Sequence, residues 1–96
     1  MLVLITYDVN TEDAAGRKRL RSVAKTCLNY GQRVQNSVFE CEVDASQFLM
    51  VKNKLIQIID TKADSLRFYK LGNNSGNKVE HYGVKPSLNV TDPLVL

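Results

Sequence analysis

The stretch Met1-Leu2-Val3-Leu4-Ile5-Thr6-Tyr7-Asp8-Val9, residues 1–9, decides how the rest of this chain must fold. Its near-continuous apolar run, rich in Val and Ile, reads as a strand buried within a sheet. Side chains alternate along a strand, so Leu2, Leu4, Thr6 and Asp8 share one side while Val3, Ile5 and Tyr7 share the other. Apolar residues on both sides demand cover on both faces of the sheet. Asp8 stands where this strand emerges into the following loop.

Downstream, Asn10-Thr11-Glu12-Asp13 offers a helix N-cap and acids suited to the positive end of a helix. Leu20, Val23, Ala24, Cys27 and Leu28 then recur with helical spacing and predict an amphipathic helix. Asn29-Tyr30-Gly31 stops it, with Gly31 as the C-terminal glycine. Residues 33–43 read as two strands around a tight turn at Asn36-Ser37, with β-branched and aromatic content from Val34, Val38, Phe39 and Val43. Asp44 and Gln47 form the pattern of a capping box for a second helix. Phe48, Val51, Leu55 and Ile58 make its buried face, widened by Leu49, Ile56 and Ile59. Residues 66–71 follow as a fourth strand, 73–77 as a polar loop, and 78–82 as a short fifth strand.

The order β-α-β-β-α-β is that of the split βαβ, or ferredoxin-like, fold of the α+β class. Right-handed crossovers put both helices on one face of a four-stranded antiparallel sheet. Ninety-six residues hold one core, so residues 1–82 are expected to form a single domain. Residues 83–96, punctuated by Pro86 and Asp92-Pro93, show no periodicity and are expected to be a mobile or partner-binding tail. A second copy related by two-fold symmetry is the simplest cover for the sheet's other face, which predicts a homodimer.

At 44% hydrophobic and 24% charged, the composition is that of an ordinary globular domain. No run of 18 apolar residues exists, so no membrane partner is expected. Cys27 and Cys41 match no redox or metal spacing and are expected to be free thiols of a cytoplasmic protein. There is no phosphate-binding glycine loop and no zinc-ligand pattern. Residues 38–43 do not match the RNP1 motif, and Glu40 and Glu42 would repel the RNA backbone that such a motif approaches. Ser37 belongs to a turn, and His81, the sole histidine, reads as a surface or interface residue.

The net charge of +3 is mild, so its distribution carries more information than its sum. Arg17, Lys18, Arg19, Arg21 and Lys25 are five of the 13 basic residues, placed within nine positions. On a helical wheel Arg17, Lys18, Arg21 and Lys25 cluster beside the apolar stripe, and Arg19 lies on the other flank. No acid falls between Asp13 and Glu40 to pair with them along the helix. An unbalanced basic face of this kind favours phosphate contact over a merely solvated surface. Arg33 and Lys70 extend it. Asp8 has two readings, a turn or capping residue or a metal-binding carboxylate. Magnesium takes one or two protein carboxylates and keeps waters or phosphate oxygens. A pair of Asp8 residues across a two-fold axis would therefore share one ion, which would engage a scissile phosphate and acidify an attacking water.

Leu4-Ile5-Thr6-Tyr7-Asp8-Val9, Gly16-Arg17-Lys18-Arg19-Leu20-Arg21, Tyr30-Gly31-Gln32-Arg33-Val34-Gln35-Asn36-Ser37-Val38-Phe39-Glu40 and Ser65-Leu66-Arg67-Phe68-Tyr69 together resemble the CRISPR-associated protein 2 family. The tyrosine-aspartate pair is short, whereas the long run through Arg33 and Phe39 is specific. The resemblance implies a ferredoxin-like homodimer whose fifth strand packs onto the partner's sheet. It also implies a magnesium ion, for which manganese is a substitute, at the paired Asp8 residues. Tyr7, Arg17, Arg19, Arg33 and Phe39 match positions that the family associates with activity or nucleic-acid contact. Members are metal-dependent endonucleases on RNA or double-stranded DNA that act in spacer acquisition with the CRISPR-associated integrase.

The expectation is thus a magnesium-dependent endonuclease with Asp8 as its catalytic and metal-binding residue. Arg17, Lys18, Arg19, Arg21, Lys25 and Arg33 would hold nucleic acid, with Tyr7 and Phe39 in support. The alternative is a dimeric scaffold that bridges DNA and integrase without cutting. A third reading, a small-ligand regulator, predicts no salt-dependent nucleic-acid binding.

Overall fold

In the computed structural model, residues 1–72 and 78–84 are described, and they form β1 (Leu2–Asp8), α1 (Ala14–Leu28), β2 (Gly31–Gln35), β3 (Val38–Glu42), α2 (Ala45–Ile58), β4 (Ser65–Leu71) and β5 (Lys78–Gly83). The expected loop at 73–77 and the tail from residue 85 lie outside the described residues. The strands form one sheet in the order β2-β3-β1-β4-β5. Every neighbouring pair is antiparallel. The split βαβ arrangement is therefore present, with β1 in the middle of the sheet.

Local chemistry accounts for the elements. The Asp13 side chain accepts from the Gly16 amide and starts α1, and Asp44 and Gln47 make the reciprocal capping box of α2. Val3, Ile5 and Tyr7 of β1, Phe39 and Cys41 of β3, and Leu66 and Phe68 of β4 point into one core. Val23 and Cys27 of α1, with Phe48, Val51 and Leu55 of α2, cover that core from the same side. Both helices thus lie on one face. The opposite face carries Leu2, Leu4 and Thr6, each only half-buried within a single chain.

Four details differ from the sequence expectation. The sheet has five strands, because β5 pairs with the chain's own β4 from Ser65↔Gly83 to Lys70↔Lys78, where the resemblance implies pairing with a partner's sheet. Side chains add to that ladder: Glu80 bridges Lys52 of α2 and Lys70 of β4, Arg67 Nε donates to His81 Nδ1 at 3.3 Å, and Tyr82 packs edge-on against Phe68. Gly31 opens β2 and Asn29 is the C-cap of α1. Glycine is needed at 31 because a Cβ there would run into the Glu40 carbonyl and Cys41. Finally, Leu28 and Leu49 are 57% and 52% exposed instead of joining the buried faces. Leu28 is the last residue of its helix, and Leu49 is turned about 100° from Phe48, off the buried stripe.

Candidate metal and nucleic-acid site

Asp8 is exposed at the C-terminal end of β1, opposite Ser65 on β4. It shares the open face of the sheet with Leu2, Leu4 and Thr6. Asp13 and not Asp8 caps α1, and the carboxylate of Asp8 enters no salt bridge among the described residues. The capping reading of Asp8 therefore lapses. Among the described residues no three His, Cys, Asp or Glu gather into a ligand cluster. A single free carboxylate on a strand tip fits magnesium, which needs only one or two from protein, and does not fit a structural zinc site.

The loop beyond Asp8 is tied down residue by residue. The Asn10 amide donates to Asp64 Oδ1 at 2.9 Å, and the Asn10 side-chain oxygen accepts from the Glu12 amide at 2.9 Å. Gly16 lies directly against the Asn10 carbonyl, where any Cβ would overlap the oxygen. Asp64 itself is fully buried, and Arg19 Nε donates to its Oδ2 at 2.8 Å. Burial alone would push the Asp64 carboxyl up, but hydrogen bonds from Arg19, Asp60 and Asn10 together hold it below its ordinary value.

Tyr7, Phe39 and Arg33 meet on the helix-covered side of the sheet. The rings of Tyr7 and Phe39 stack with centroids 6.2 Å apart, and the Arg33 guanidinium sits 5.2 Å from the Phe39 ring centre, within cation–π range. Burial raises the Tyr7 phenol, with Arg33 pulling against it. Tyr7 and Phe39 are thus core residues that seat an exposed arginine, on the face opposite Asp8.

Arg17, Lys18, Arg21 and Lys25 are exposed along the outer side of α1 and enter no salt bridge among the described residues. Arg19 is engaged with Asp64, and Lys70 lies 2.8 Å from Glu80, so neither belongs to that free basic face. Within one chain the structure therefore gathers three separate groups: Asp8 on the open face, the Tyr7–Phe39–Arg33 stack behind it, and the basic surface of α1. Sequence reasoning missed Asp64. An acid in a short loop between a helix and a strand looks solvated, and no local pattern marks it as buried.

The family model for CRISPR associated protein Cas2 matches residues 1–79. The CRISPR-associated endonuclease Cas2 of Halalkalibacterium halodurans is 62% identical over 99% of both chains. The CRISPR-associated endoribonuclease Cas2 of Chlorobaculum tepidum is 58% identical over the whole of both chains. Among solved structures, Streptococcus pyogenes Cas2 superposes with a TM-score of 0.70 at 68% identity, covering 77% of this chain and 89% of that one.

Proposed function

The chain belongs to the CRISPR-associated protein Cas2 family, and from that premise we propose that it is a metal-dependent endonuclease of CRISPR adaptation. It cuts phosphodiester bonds in RNA or double-stranded DNA, works as a homodimer in the cytoplasm, and joins the CRISPR-associated integrase in spacer acquisition. The observation that carries this reading is the state of Asp8: exposed at the end of the central strand β1, and free of salt bridges among the described residues. The half-covered Leu2 and Leu4 beside it support a second copy on that face, which would bring two Asp8 carboxylates together.

In that dimer the two Asp8 side chains would hold one magnesium ion, with manganese as a substitute. When bound, the ion supplies Lewis acidity toward a phosphate oxygen. The rest falls to the chain: Arg17, Lys18, Arg21 and Lys25 attract the phosphate backbone, and Arg33, seated on Phe39, adds a planar donor. Phosphate contacts of this kind position the nucleic acid without reading its sequence.

Asp8→Asn abolishes cleavage while leaving the dimer and its thermal transition intact. Undiminished cutting by a rigorously purified Asp8→Asn protein would overturn the proposal. A second reading, a scaffold that binds DNA and integrase without cutting, is favoured by the single carboxylate per chain and the lack of a ligand cluster among the described residues. It predicts that Asp8→Asn leaves spacer acquisition unchanged while charge reversal on α1 abolishes it.

A further inference from the structure

Asp64 is the one charged residue fully buried among the described residues, and it lies just ahead of β4 rather than within any element. Its Oδ1 accepts from the Asn10 amide at 2.9 Å and lies 3.3 Å from Arg19 Nη2. Its Oδ2 accepts from Arg19 Nε at 2.8 Å and from the Asp60 amide at 2.9 Å. The Asp64 amide donates to the Asp60 carbonyl at 2.7 Å, and its own carbonyl accepts from the Val84 amide at 2.8 Å. One residue thus joins the β1–α1 loop, α1, the α2–β4 loop and the end of β5.

One of these links, and the position of Asp64 itself, bear on Asp8. Asn10 is two residues beyond it along the chain, and Ser65, which directly follows Asp64, is its partner across the β1–β4 ladder. The tip of β1 is therefore bracketed by one buried residue, through the Asp64 carboxylate on the Asn10 side and through its chain neighbour Ser65 on the β4 side. An ionised carboxylate is costly to bury unless it is paired and hydrogen-bonded, and Arg19 is what allows Asp64 to be charged there. Its Nε and Nη2 both face Asp64, unlike the guanidinium of Arg21, which is free of ion pairs among the described residues.

We infer that Arg19 and Asp64 are positioning residues for Asp8, acting as a pair that fixes the strand tip and its loop, and that Arg19 is not a phosphate ligand. This rests on the reading of Asp8 given above. A site that must meet its counterpart from a second chain tolerates little wander, and fixed placement of this kind comes from residues outside the contact shell.

The test uses the full chain with Arg19→Gln, Arg19→Lys, Arg21→Gln and Asp8→Asn, all checked for a cooperative thermal transition. Amide hydrogen exchange over residues 9–12 is read beside cleavage kinetics and the salt dependence of nucleic-acid binding. Arg19→Gln speeds exchange at Asn10 and lowers kcat by about tenfold or more, with KM and the salt slope unchanged. Arg21→Gln flattens the salt slope and leaves exchange at Asn10 alone. Arg19→Lys keeps the charge but not the forked geometry, so it folds and does not restore kcat. Restoration of kcat by Arg19→Lys, or a salt slope lost equally in Arg19→Gln and Arg21→Gln, overturns the inference. Unchanged exchange at Asn10 while cleavage still requires Asp8 also overturns it and spares the functional reading. Cleavage that survives Asp8→Asn overturns the functional reading and this inference together, and is recognised because exchange at Asn10 still answers to Arg19.

Discussion

Glu80 of β5 and Lys70 of β4 close an ion pair of 2.8 Å on the helix-covered side of the sheet. Lys52 of α2 and the Tyr82 hydroxyl complete the shell around the same carboxylate, at 3.1 Å and 2.6 Å. The edge strand is thereby held to both the sheet and a helix of its own chain.

Acid stability should report this cluster. Hydrogen bonds from Lys70 first, then Tyr82 and Lys52, draw the Glu80 carboxyl down to about 2. A carboxylate whose folded value is depressed stabilises the fold above its unfolded value, and that contribution is lost as pH falls through the folded one. Stability should therefore drop between the usual glutamate range and pH of about 2. The loss amounts to about 1–2 kcal/mol once partial exposure is allowed for. Glu80→Gln should show a flatter acid limb in urea unfolding; parallel curves for the two proteins would refute the assignment.

The basic surface of α1 should appear as a slope. Each of Arg17, Lys18, Arg21 and Lys25 replaced by Gln should weaken nucleic-acid binding with little regard to sequence. Each loss should reduce the slope of log K against log salt by about 0.7–0.9. Fluorescence anisotropy titrations across a range of salt concentrations measure this directly, and a slope unchanged after all four replacements would count against phosphate contact there.

The two thiols should be silent in the native protein. Burial pushes Cys27 up to about 12 and Cys41 up to about 11, and the thiolate is the reactive form. Neither should react with a disulfide reagent at neutral pH until the chain unfolds, so modification should track denaturant in one transition. Rapid labelling of folded protein would contradict this burial.

Much of the fold was legible because its signals are local. The two-faced apolar strand, the helical stripe through Val23 and Cys27, and the Asp44–Gln47 box each sit within a few residues, and each matches the structure. Asp8 was legible by position, at the point where a central strand meets a loop. Arg19 was harder, since its wheel position set it apart from Arg17 and Arg21 but not its partner, which lies 45 residues away. Asp64 carried no sign at all: whether an acid is solvated or buried depends on which distant cation reaches it. Gly31 misled because a helix-stopping glycine and one needed for close strand packing look alike in sequence. The placement of β5 rests on Glu80 meeting Lys52 and Lys70 across the fold, which no periodicity encodes.

The central place of β1 has a mechanical consequence. Paired with β3 along one edge and with β4 along the other, it opens only when the domain as a whole gives way. Asp8 thus extends from the end of a central strand, two residues past its last partner on β3 and opposite Ser65 of β4, and bending that strand is not a practical way to retune its reach. In the proposed dimer, a change in the distance between the two Asp8 carboxylates would then come from whole domains sliding or rotating against each other, on the microsecond-to-millisecond scale of collective motion. Activity would then be set by how two rigid bodies dock, which makes the contact between subunits the adjustable part of the machine.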